Sequence, residues 1–343
     1  MDSAFIIEKS VIIITVFAIT MIMAMYSTWA ERKVAAYLQD RVGPNRAGWG
    51  GLLQPLADGM KLFAKEEFSP NTPNKFLFVV GPAIAMSTAL MTSAVIPWGD
   101  KLHLFGRDIY LQATDIDVSL LYILGVVSLG VYGIMIGGWA SNNKFSLMGA
   151  VRAASQMVSY EVAMGLSLIA LLMMTGTLSL KEISIQQAGW HWNVLYQPVS
   201  FLIFLICAFA ETNRTPFDLA ECESELIGGY HTEYSSMKMG FYLFAEYANM
   251  FISSTVLAVL FFGGYNYPGM SWAVENWGVN IANVLGIIVL FTKICGFIFF
   301  FMWIRWTIPR FRYDQLMNLG WKVLIPLSII NIIITGICLL AFK

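Results

Sequence analysis

Residues 281–304 are IANVLGIIVLFTKICGFIFFFMWI, a run in which Lys293 is the single charged side chain. A helix rises about 1.5 Å per residue, so about 20 consecutive apolar residues cross the roughly 30 Å of hydrocarbon in a bilayer. The run is continuous and lacks the alternation of a membrane barrel, which reads as apolar and polar residues in turn. It therefore predicts a transmembrane helix.

The whole chain has the same character. Of its 343 residues 57% are hydrophobic and 13% are charged, whereas about a quarter of the residues in ordinary soluble domains are charged. Eight apolar runs are long enough to span, near 5–29, 76–97, 118–140, 158–178, 196–212, 238–263, 281–304 and 322–342. We predict an all-α polytopic membrane protein with about eight transmembrane helices, amphipathic and loop helices on its inner face, and a single integral membrane domain over 1–343. No small-residue cleavage site follows the first run, so we expect it to be retained as a span.

The basic residues set the orientation. Of the 21 lysines and arginines, 15 lie in the loops after the first, third, fifth and seventh runs. By the positive-inside rule these loops face the cytoplasm, or the matrix in a mitochondrion, and both termini lie on the outer side. We expect a multi-pass protein of a bacterial inner membrane.

Cysteine use argues against metal centres in this chain. The four cysteines, Cys207, Cys222, Cys295 and Cys338, are widely separated, and none forms a C-x-x-C pair. We expect buried, apolar thiols, with no iron–sulfur cluster or metal bound.

One inner-face segment, residues 214–234, is RTPFDLAECESELIGGYHTEY and is unusually acidic. Thr215 and Pro216 are typical of a helix start, and the glycines at 228–229 of its end. On such a helix Asp218, Glu221 and Glu225 share one face, with Glu223 to the side.

Like charges about 6 Å apart cost roughly 3 kcal/mol at an effective dielectric near 20, so we expect some of these acids to hold a proton near neutral pH. The alternative is a solvated acidic helix, with Asp218 as a capping residue. A lone loop histidine such as His231 is more commonly a surface group.

Four further ionisable residues fall within or beside the predicted spans. They are Glu161, Glu211, Glu246 and Lys293. Charges inside a bilayer are costly unless paired or hydrated, so these residues are functional candidates that could form a buried polar path.

The first inner loop predicts an amphipathic helix after the glycines at 48–51. Its apolar stripe comprises Leu52, Leu53, Leu56, Met60 and Phe63, and Asp58 and Lys61 are spaced to pair. An interfacial helix with no further role would show the same pattern.

The seventh loop, residues 304–322, combines cations with aromatic side chains. Arg305, Arg310, Arg312 and Asp314 could dock carboxylates and cations of a partner, whereas an aromatic belt with inner-face charges needs no partner.

Four inner-face blocks together resemble the H-type membrane subunit of proton-translocating NADH:quinone oxidoreductase, respiratory complex I. The blocks are ERKVAAYLQDRVGPNRAGWGGLLQPLADGMKLFAKE (31–66), SLMGAVRAASQMVSYEVAMGL (146–166), AETNRTPFDLAECESELIGGYHTEYSSMKMGFYLFAEY (210–247) and IRWTIPRFRYDQLMNLGWK (304–322). The resemblance covers the whole chain and includes the number of spans.

The resemblance implies the membrane part of a quinone chamber and a glutamate-rich proton path. It assigns to the chamber Arg32, Asp58, Lys61, Phe217 and Glu221. It assigns to the path Glu161, Glu211, Glu221, Glu223, Glu225 and Glu246. Quinone is then a substrate, and the redox cofactors belong to other subunits.

The implied partners are the peripheral-arm quinone-site and iron–sulfur subunits on the inner face and small membrane-arm subunits laterally, with no nucleic acid. Two alternatives stay open at this point. One is the equivalent membrane subunit of an ion-translocating hydrogenase; the other is a stand-alone secondary transporter with Glu246 and Lys293 at a midplane site, which the missing internal repeat disfavours.

Overall fold

The computed structural model describes residues 3–70, 74–104, 107–221 and 223–341, without the side chains of 3–5, 104 and 223–224. Over this range the chain is mostly helical, which confirms the all-α prediction. The helices in chain order are α1 (Ser3–Leu38), α2 (Gln54–Ala64), α3 (Lys75–Thr92), α4 (Ser119–Ala140), α5 (Lys144–Thr175), α6 (Leu180–Gln186), α7 (Asn193–Tyr196), α8 (Pro198–Glu211), α9 (Glu223–Leu226), α10 (Ser236–Phe261), α11 (Met270–Trp277), α12 (Val279–Thr307), α13 (Tyr313–Asn318) and α14 (Ile325–Ala341).

Among the described residues, seven helices are long and apolar enough to cross a membrane: α1, α3, α4, α5, α10, α12 and the run from α13 through α14. The predicted span at 196–212 is the exception, because α8 has only 14 residues. At about 1.5 Å per residue it is about 21 Å long and falls short of the hydrocarbon thickness. Composition alone missed this limit, since α8 starts at Pro198 and the apolar count runs on through flanking turns.

One span continues well past its apolar run, on the membrane face that we call inner because the distribution of basic residues predicts it. α5 begins where the Asn143 side chain accepts a hydrogen bond from the backbone N–H of Phe145 at 2.9 Å, and it ends at Gly176, whose φ is 71°. Its start therefore lies well before the apolar run at 158–178. The additional turns carry Arg152 towards the inner loops.

Glycines allow α3, α4 and α10 to approach closely. A Cβ on Gly133 of α4 would come 2.8 Å from the backbone nitrogen of Ala85 in α3, and one on Gly137 would overlap the hydroxyl of Tyr242 in α10. Close backbone contact at small residues is a common way of packing membrane helices. It brings the tyrosines of α10 against α4.

The extramembrane elements differ between the two faces. On the outer side, a two-stranded antiparallel hairpin joins β1 (Lys101–Leu104) to β2 (Arg107–Tyr110), with Lys101 opposite Tyr110. On the inner side, α2 leaves its apolar residues uncovered, with Met60 67% and Phe63 73% exposed. An exposed apolar stripe suits a helix in the membrane interface, and that position stays a prediction.

The cysteines are only partly as expected. Cys207 of α8 is buried, whereas Cys295 of α12 and Cys338 of α14 are exposed on the outside of the bundle. The prediction of buried thiols is wrong for these two, because an apolar thiol in a membrane-spanning helix can face lipid as readily as protein. Cys222 lies outside the described residues.

Candidate functional site

A buried arginine joins two spans at the inner end of the bundle. Arg214 follows α8, and its side chain is 2% exposed. One terminal nitrogen lies 2.6 Å from Glu31 Oε2 of α1, and its Nε lies 2.6 Å from Glu246 Oε1 of α10. The guanidinium also stacks 4.1 Å above the ring of Tyr247. A buried cation is tolerated when its attraction to paired carboxylates exceeds the cost of leaving water.

Arg214 is therefore expected to stay protonated and positively charged. Burial, the largest single effect, lowers the pKa of Arg214. The negative charges of Glu246 and then Glu31 together raise it by more, so the pKa stands well above the ordinary value for an arginine.

A second arginine extends the cluster, because Arg305 of α12 lies 2.7 Å from the other oxygen of Glu31. We call Glu31, Arg214, Glu246 and Arg305 the charge network. It is neutral when every member is ionised.

The acidic segment has a different structure from the predicted one. In place of one helix between Pro216 and the glycines at 228–229, its described residues form turns, and helix is found among them only at Glu223–Leu226. Its acids therefore diverge to separate partners: Asp218 to Arg310 at 2.7 Å, Glu221 to His231 at 3.0 Å, and Glu225 to Arg152 at 2.6 Å. The capping role expected for Asp218 is wrong for the same reason. Tertiary ion pairs have overridden the local helix signals.

The acids of this segment also differ in proton affinity. Burial and then the charge of Glu221 raise the pKa of Asp218 to about 6, against the opposing effect of Arg310 and Arg305. Burial raises the pKa of Glu221 too, but the hydrogen bond and charge of His231 dominate and leave that pKa lowered. Segregation into ion pairs thus replaces the uniform acidic face that the sequence predicted.

A cavity of about 260 Å³ lies between α1, α2 and α10. Its charged lining residues are Arg32 and Asp58, whose charged atoms are 2.7 Å apart. Gln54 also donates to Asp58, at 3.2 Å. The expected pair of Asp58 with Lys61 is thus wrong, since Arg32 takes the carboxylate, and Lys61 is exposed on α2.

A second cavity of about 410 Å³ adjoins the first. Arg32 and Tyr247 line both, so the two spaces meet at these side chains. Glu31 of the charge network also lines the second cavity, together with Trp306 of α12. We call the two spaces the inner cavities. One side of the charge network therefore faces them.

The other side of the network reaches a smaller space. A cavity of about 30 Å³ is lined by both Glu246 and Glu211, with Tyr230, Tyr242 and Asn249 among its other walls. A polar cavity needs roughly 10 to 15 Å³ to hold a water molecule, so this one has room for water between the two carboxylates. We call it the small cavity. Beyond it, Ser128 of α4 donates a hydrogen bond to Glu161 of α5.

Several predicted residues lie elsewhere. Phe217 is buried against Tyr160 and Phe311, with ring centroids 5.4 and 5.6 Å away, and neither inner cavity has it in its wall. Glu225 is exposed beside Arg152. The side chain of Glu223 is outside the described residues.

The cations of the seventh loop are mostly engaged within the chain. Arg305 contacts Glu31 and Arg310 contacts Asp218, both at 2.7 Å. Arg312 and Asp314, 3.3 Å apart, are the exposed pair, at 80% and 63%.

Lys293 does not belong to the buried path. Its ammonium donates to the backbone carbonyls of Phe262, Gly264 and Asn266 at 2.7, 2.8 and 2.8 Å. These carbonyls follow α10 at the end opposite Glu246, and 16 residues of helix separate Glu246 from Phe262, about 24 Å. A shared midplane site for Glu246 and Lys293 is therefore excluded.

Three important residues were missed from the sequence. Glu31, Arg214 and Tyr247 lie in the quoted blocks, but the sequence gives them no distinct role. Glu31 and Arg214 flank spans and resemble interfacial groups, and Tyr247 is an uncharged side chain within a span. Two of them, Glu31 and Arg214, carry opposite charges at the inner ends of spans, and this is the signal in the sequence that could have indicated the pair.

Among the described residues there is no group of three or more His, Cys, Asp or Glu side chains that could hold a metal ion.

Known proteins resemble the chain over its full length. A model of the NADH dehydrogenase family matches residues 10–336. A protein of Flavobacterium psychrophilum is 88% identical over 343 residues, 100% of each chain. One of Flavobacterium johnsoniae is 85% identical over 340 residues, 99% of this chain and 97% of the relative. One of Thermomicrobium roseum is 47% identical over 321 residues, 91% and 90% of the two chains. All three relatives are named as the H-type subunit of NADH-quinone oxidoreductase.

Proposed function

The chain belongs to the NADH dehydrogenase family, and from that premise we propose that its inner cavities receive quinone and that its charge network passes the effect of quinone turnover to a proton path. It is an integral membrane subunit of NADH-quinone oxidoreductase, complex I, in which it forms the membrane part of the quinone chamber and takes part in proton pumping. The substrate of that complex is quinone, and the partners of the chain are its other subunits.

One observation carries the residue-level proposal. Arg214 contacts Glu31, which lines an inner cavity, and Glu246, which lines the small cavity, each at 2.6 Å. A single guanidinium thus connects the two spaces. The guanidinium stays charged and stays buried between the two carboxylates. A change in charge on one carboxylate therefore changes the proton affinity of the other.

The electrostatic coupling between these groups is large enough to change a protonation state. One elementary charge about 6 Å away shifts the free energy of an ionised group by roughly 3 kcal/mol at an effective dielectric near 20, about two pKa units. Negative charge that develops on quinone in the inner cavities competes with Asp58 for Arg32, and with Glu31 for Arg214 and Arg305. The ionised form of Glu246 is then less stabilised, and Glu246 takes up a proton.

From Glu246 we propose that the proton crosses the small cavity to Glu211 and continues to Glu161. Water held between Glu246 and Glu211 supports the first step, and the hydrogen bond of Ser128 to Glu161 supports a polar end to the second. Glu221 is proposed as the acid that feeds the path from the inner surface. Glu223 and Glu225 remain proposed members on the same segment.

The quinone contacts are also proposals. Arg32 and Asp58 are proposed to hold the polar end of the substrate at the junction of the inner cavities, which their position in the cavity walls supports. Lys61 is proposed to act at the mouth because it lies on α2 beside Asp58. Phe217 is proposed to act behind the chamber, through its packing on Phe311.

We propose that Arg312 and Asp314 meet a partner, because their side chains are 80% and 63% exposed and pair only with each other among the ion pairs of the described residues. Arg305 and Arg310 would act there indirectly, by holding Glu31 and Asp218. The inner face would receive the peripheral-arm quinone-site and iron–sulfur subunits, and small membrane-arm subunits would pack laterally. Cross-linking from a photoreactive residue at 312 would identify the neighbour; adducts with lipid alone would overturn this contact.

We propose a bacterial inner-membrane location with both termini outside. The distribution of 15 of 21 basic residues supports this orientation. A phosphatase fused after residue 343 should be active and one fused after residue 142 inactive; the opposite pattern would reverse the orientation. We also propose that flavin and iron–sulfur clusters reside on other subunits, which the wide spacing of the cysteines supports.

The test of the proposed function is Glu246→Gln in the assembled enzyme, in inverted membrane vesicles. Glutamine keeps the size and polarity of Glu246 but holds no exchangeable acidic proton. We expect quinone-linked NADH oxidation and proton pumping to fall together, with oxidation by an artificial acceptor preserved. Glu275→Gln, an exposed outer acid, is the matched control. Wild-type pumping in Glu246→Gln would overturn the path.

A further inference from the structure

His231 is a buried residue with a charged neighbour, which makes the surface-group prediction wrong. It lies in a short turn, Gly229–His231, and is 7% exposed. The turn fits tightly on α5, since a Cβ on Gly149 would come 2.8 Å from Gly229 Cα. The hydroxyl of Ser146 on α5 also donates to the backbone carbonyl of Tyr230, at 3.2 Å. The imidazole is therefore held in one place.

The two ring nitrogens of His231 have different surroundings. Nδ1 lies 3.0 Å from Glu221 Oε1. Nε2 is buried and has no hydrogen-bond partner among the described residues. A buried polar atom without a partner is uncommon in folded proteins and calls for an explanation such as a catalytic role or a bound water. In a neutral imidazole whose Nδ1–H donates to Glu221, Nε2 carries the lone pair that can accept a proton.

The ring of His231 also packs on two side chains that line the small cavity. It packs against Tyr230 and Tyr242, with centroid distances of 3.9 and 5.4 Å. Both tyrosines line the small cavity together with Glu211 and Glu246. One side of His231 thus contacts Glu221 of the acidic segment, and its ring contacts two tyrosines that line the small cavity.

We propose that His231 carries protons between Glu221 and the small cavity, an inference that rests on the proposed function and supplies its missing step. Nε2 accepts a proton that Glu246 or Glu211 releases through water, and that acid becomes a carboxylate. The imidazolium then gives its Nδ1 proton to the Glu221 carboxylate. A neutral imidazole protonated at Nε2 remains beside a carboxylic acid, and no electrons move. The reverse sequence carries a proton from Glu221 to the small cavity, which is the direction in which Glu221 feeds the path.

Other groups near His231 are less suited to this step. Burial and then the charge of Glu221 raise the pKa of Tyr230 well above its usual range, and burial raises the pKa of Tyr234 to about 12, so both stay neutral phenols. Arg152 is paired with Glu225, and Glu233 accepts a hydrogen bond from Asn143 at 2.6 Å. The remaining charged or titratable groups on the packed elements are Lys144, Tyr160 and Glu161 on α5, Tyr122 and Tyr132 on α4, Asp218 on the acidic segment, Lys238, Tyr242, Glu246 and Tyr247 on α10, and Arg214, Arg305 and Arg310.

The test uses His231→Asn in the assembled enzyme, because the asparagine amide can still donate to Glu221 but cannot take up a proton. Quinone-linked NADH oxidation is measured from about pH 5 to about 8, where imidazoles titrate, together with proton pumping. We expect about a 100-fold lower quinone-linked rate, the lower end for loss of a proton-transfer group, and loss of one protonation step from the pH profile. Artificial-acceptor oxidation should be preserved. His191→Asn, at an exposed outer histidine, is the matched control.

Each outcome decides the inference. A wild-type rate and pH profile in His231→Asn, alongside impaired pumping in Glu246→Gln, would overturn the histidine step and leave the proposed function standing. Wild-type behaviour in both would overturn both. His231→Gln is the second variant, and loss of assembly in both histidine variants would also overturn the relay, because a structural role would then suffice. A lost protonation step in either assembled variant supports it.

Discussion

Arg214 Nε lies 2.6 Å from Glu246 Oε1, deep at the inner end of the bundle and away from solvent. The same guanidinium holds Glu31 through another nitrogen. This arrangement stabilises the packing of α1 against α10, and it also makes the charge of either carboxylate depend on the other. Structure and coupling therefore rest on one side chain, and a substitution there should affect both.

For Arg214 we expect the change to glutamine to destabilise the assembled complex strongly. It leaves Glu31 and Glu246 without their buried cation, and breaking a buried ion pair costs about 3 to 5 kcal/mol. Arg214→Lys keeps the charge but not the fork that reaches two carboxylates, so it should assemble with lower quinone-linked activity. Thermal unfolding of the purified complex measures the first effect. Adding Glu246→Gln to Arg214→Gln should recover part of the stability; no recovery would argue against the pairing.

The pair of Arg32 with Asp58 gives a second prediction. Asp58→Asn removes the negative charge that holds Arg32 at the junction of the inner cavities. A hydrogen bond to a charged group contributes about 1.5 to 3 kcal/mol, so we expect about a 10- to 100-fold loss in kcat/KM for quinone. Artificial-acceptor oxidation should be unchanged, and Lys65→Met at an exposed position of the same face is the control. Equal loss of both activities would indicate failed assembly instead.

Asp218 gives a prediction on pH. Its pKa in the folded protein is about 6, above the value of about 3.9 for a free aspartate. A raised pKa means that the folded state binds the proton more tightly than the unfolded state, so stability is fully present below about pH 3.9 and declines as pH rises to about 6. Asp218→Asn does not titrate.

The stability of Asp218→Asn relative to wild type should therefore increase between about pH 4 and about 6 and stay level above, by up to about 3 kcal/mol. Thermal unfolding of the detergent-solubilised complex over this range measures the difference. A constant difference, or one that decreases with pH, would contradict the raised pKa.

Two glycines of α4 provide a substitution and its control. Alanine at Gly137 would place a Cβ against the hydroxyl of Tyr242, whereas a Cβ at Gly125 meets nothing within 4 Å. We expect Gly137→Ala to lower stability by about 1 to 3 kcal/mol through overpacking and to displace a wall of the small cavity. Gly125→Ala should be neutral or stabilising by up to about 1 kcal/mol, because alanine favours helix. Equal melting temperatures would contradict the close approach of α10 to α4.

Much of the fold was predictable because hydrophobic run length is a direct physical signal. Each of the eight predicted runs coincides with a helix, although α8 is shorter than a full span. The helix predicted at 216–227 was wrong, since the capping signals of Thr215 and Pro216 are worth only about 1 kcal/mol each. Ion pairs of Asp218, Glu221 and Glu225 with three distant parts of the chain outweigh them.

The candidate site was less predictable because it depends on contacts between remote residues. Sequence alone identified Glu246 and Glu211 as unusual, but Glu31 is 183 residues from Arg214 and gave no local sign of the pair. Lys293 is the reverse case, in which the sequence suggested a functional role that the structure does not support. A charge inside a span suggested function, whereas the structure gives it a set of backbone carbonyls to bind.

The central claim is that quinone turnover changes the protonation of Glu246. Infrared difference spectroscopy of the whole complex, with quinone oxidised and then reduced, detects such changes through the carboxyl C=O stretch. We expect a carboxyl signal in the wild type and in Glu275→Gln that is lost in Glu246→Gln. An unchanged carboxyl signal in assembled Glu246→Gln would show that Glu246 keeps its charge during turnover and would contradict the account.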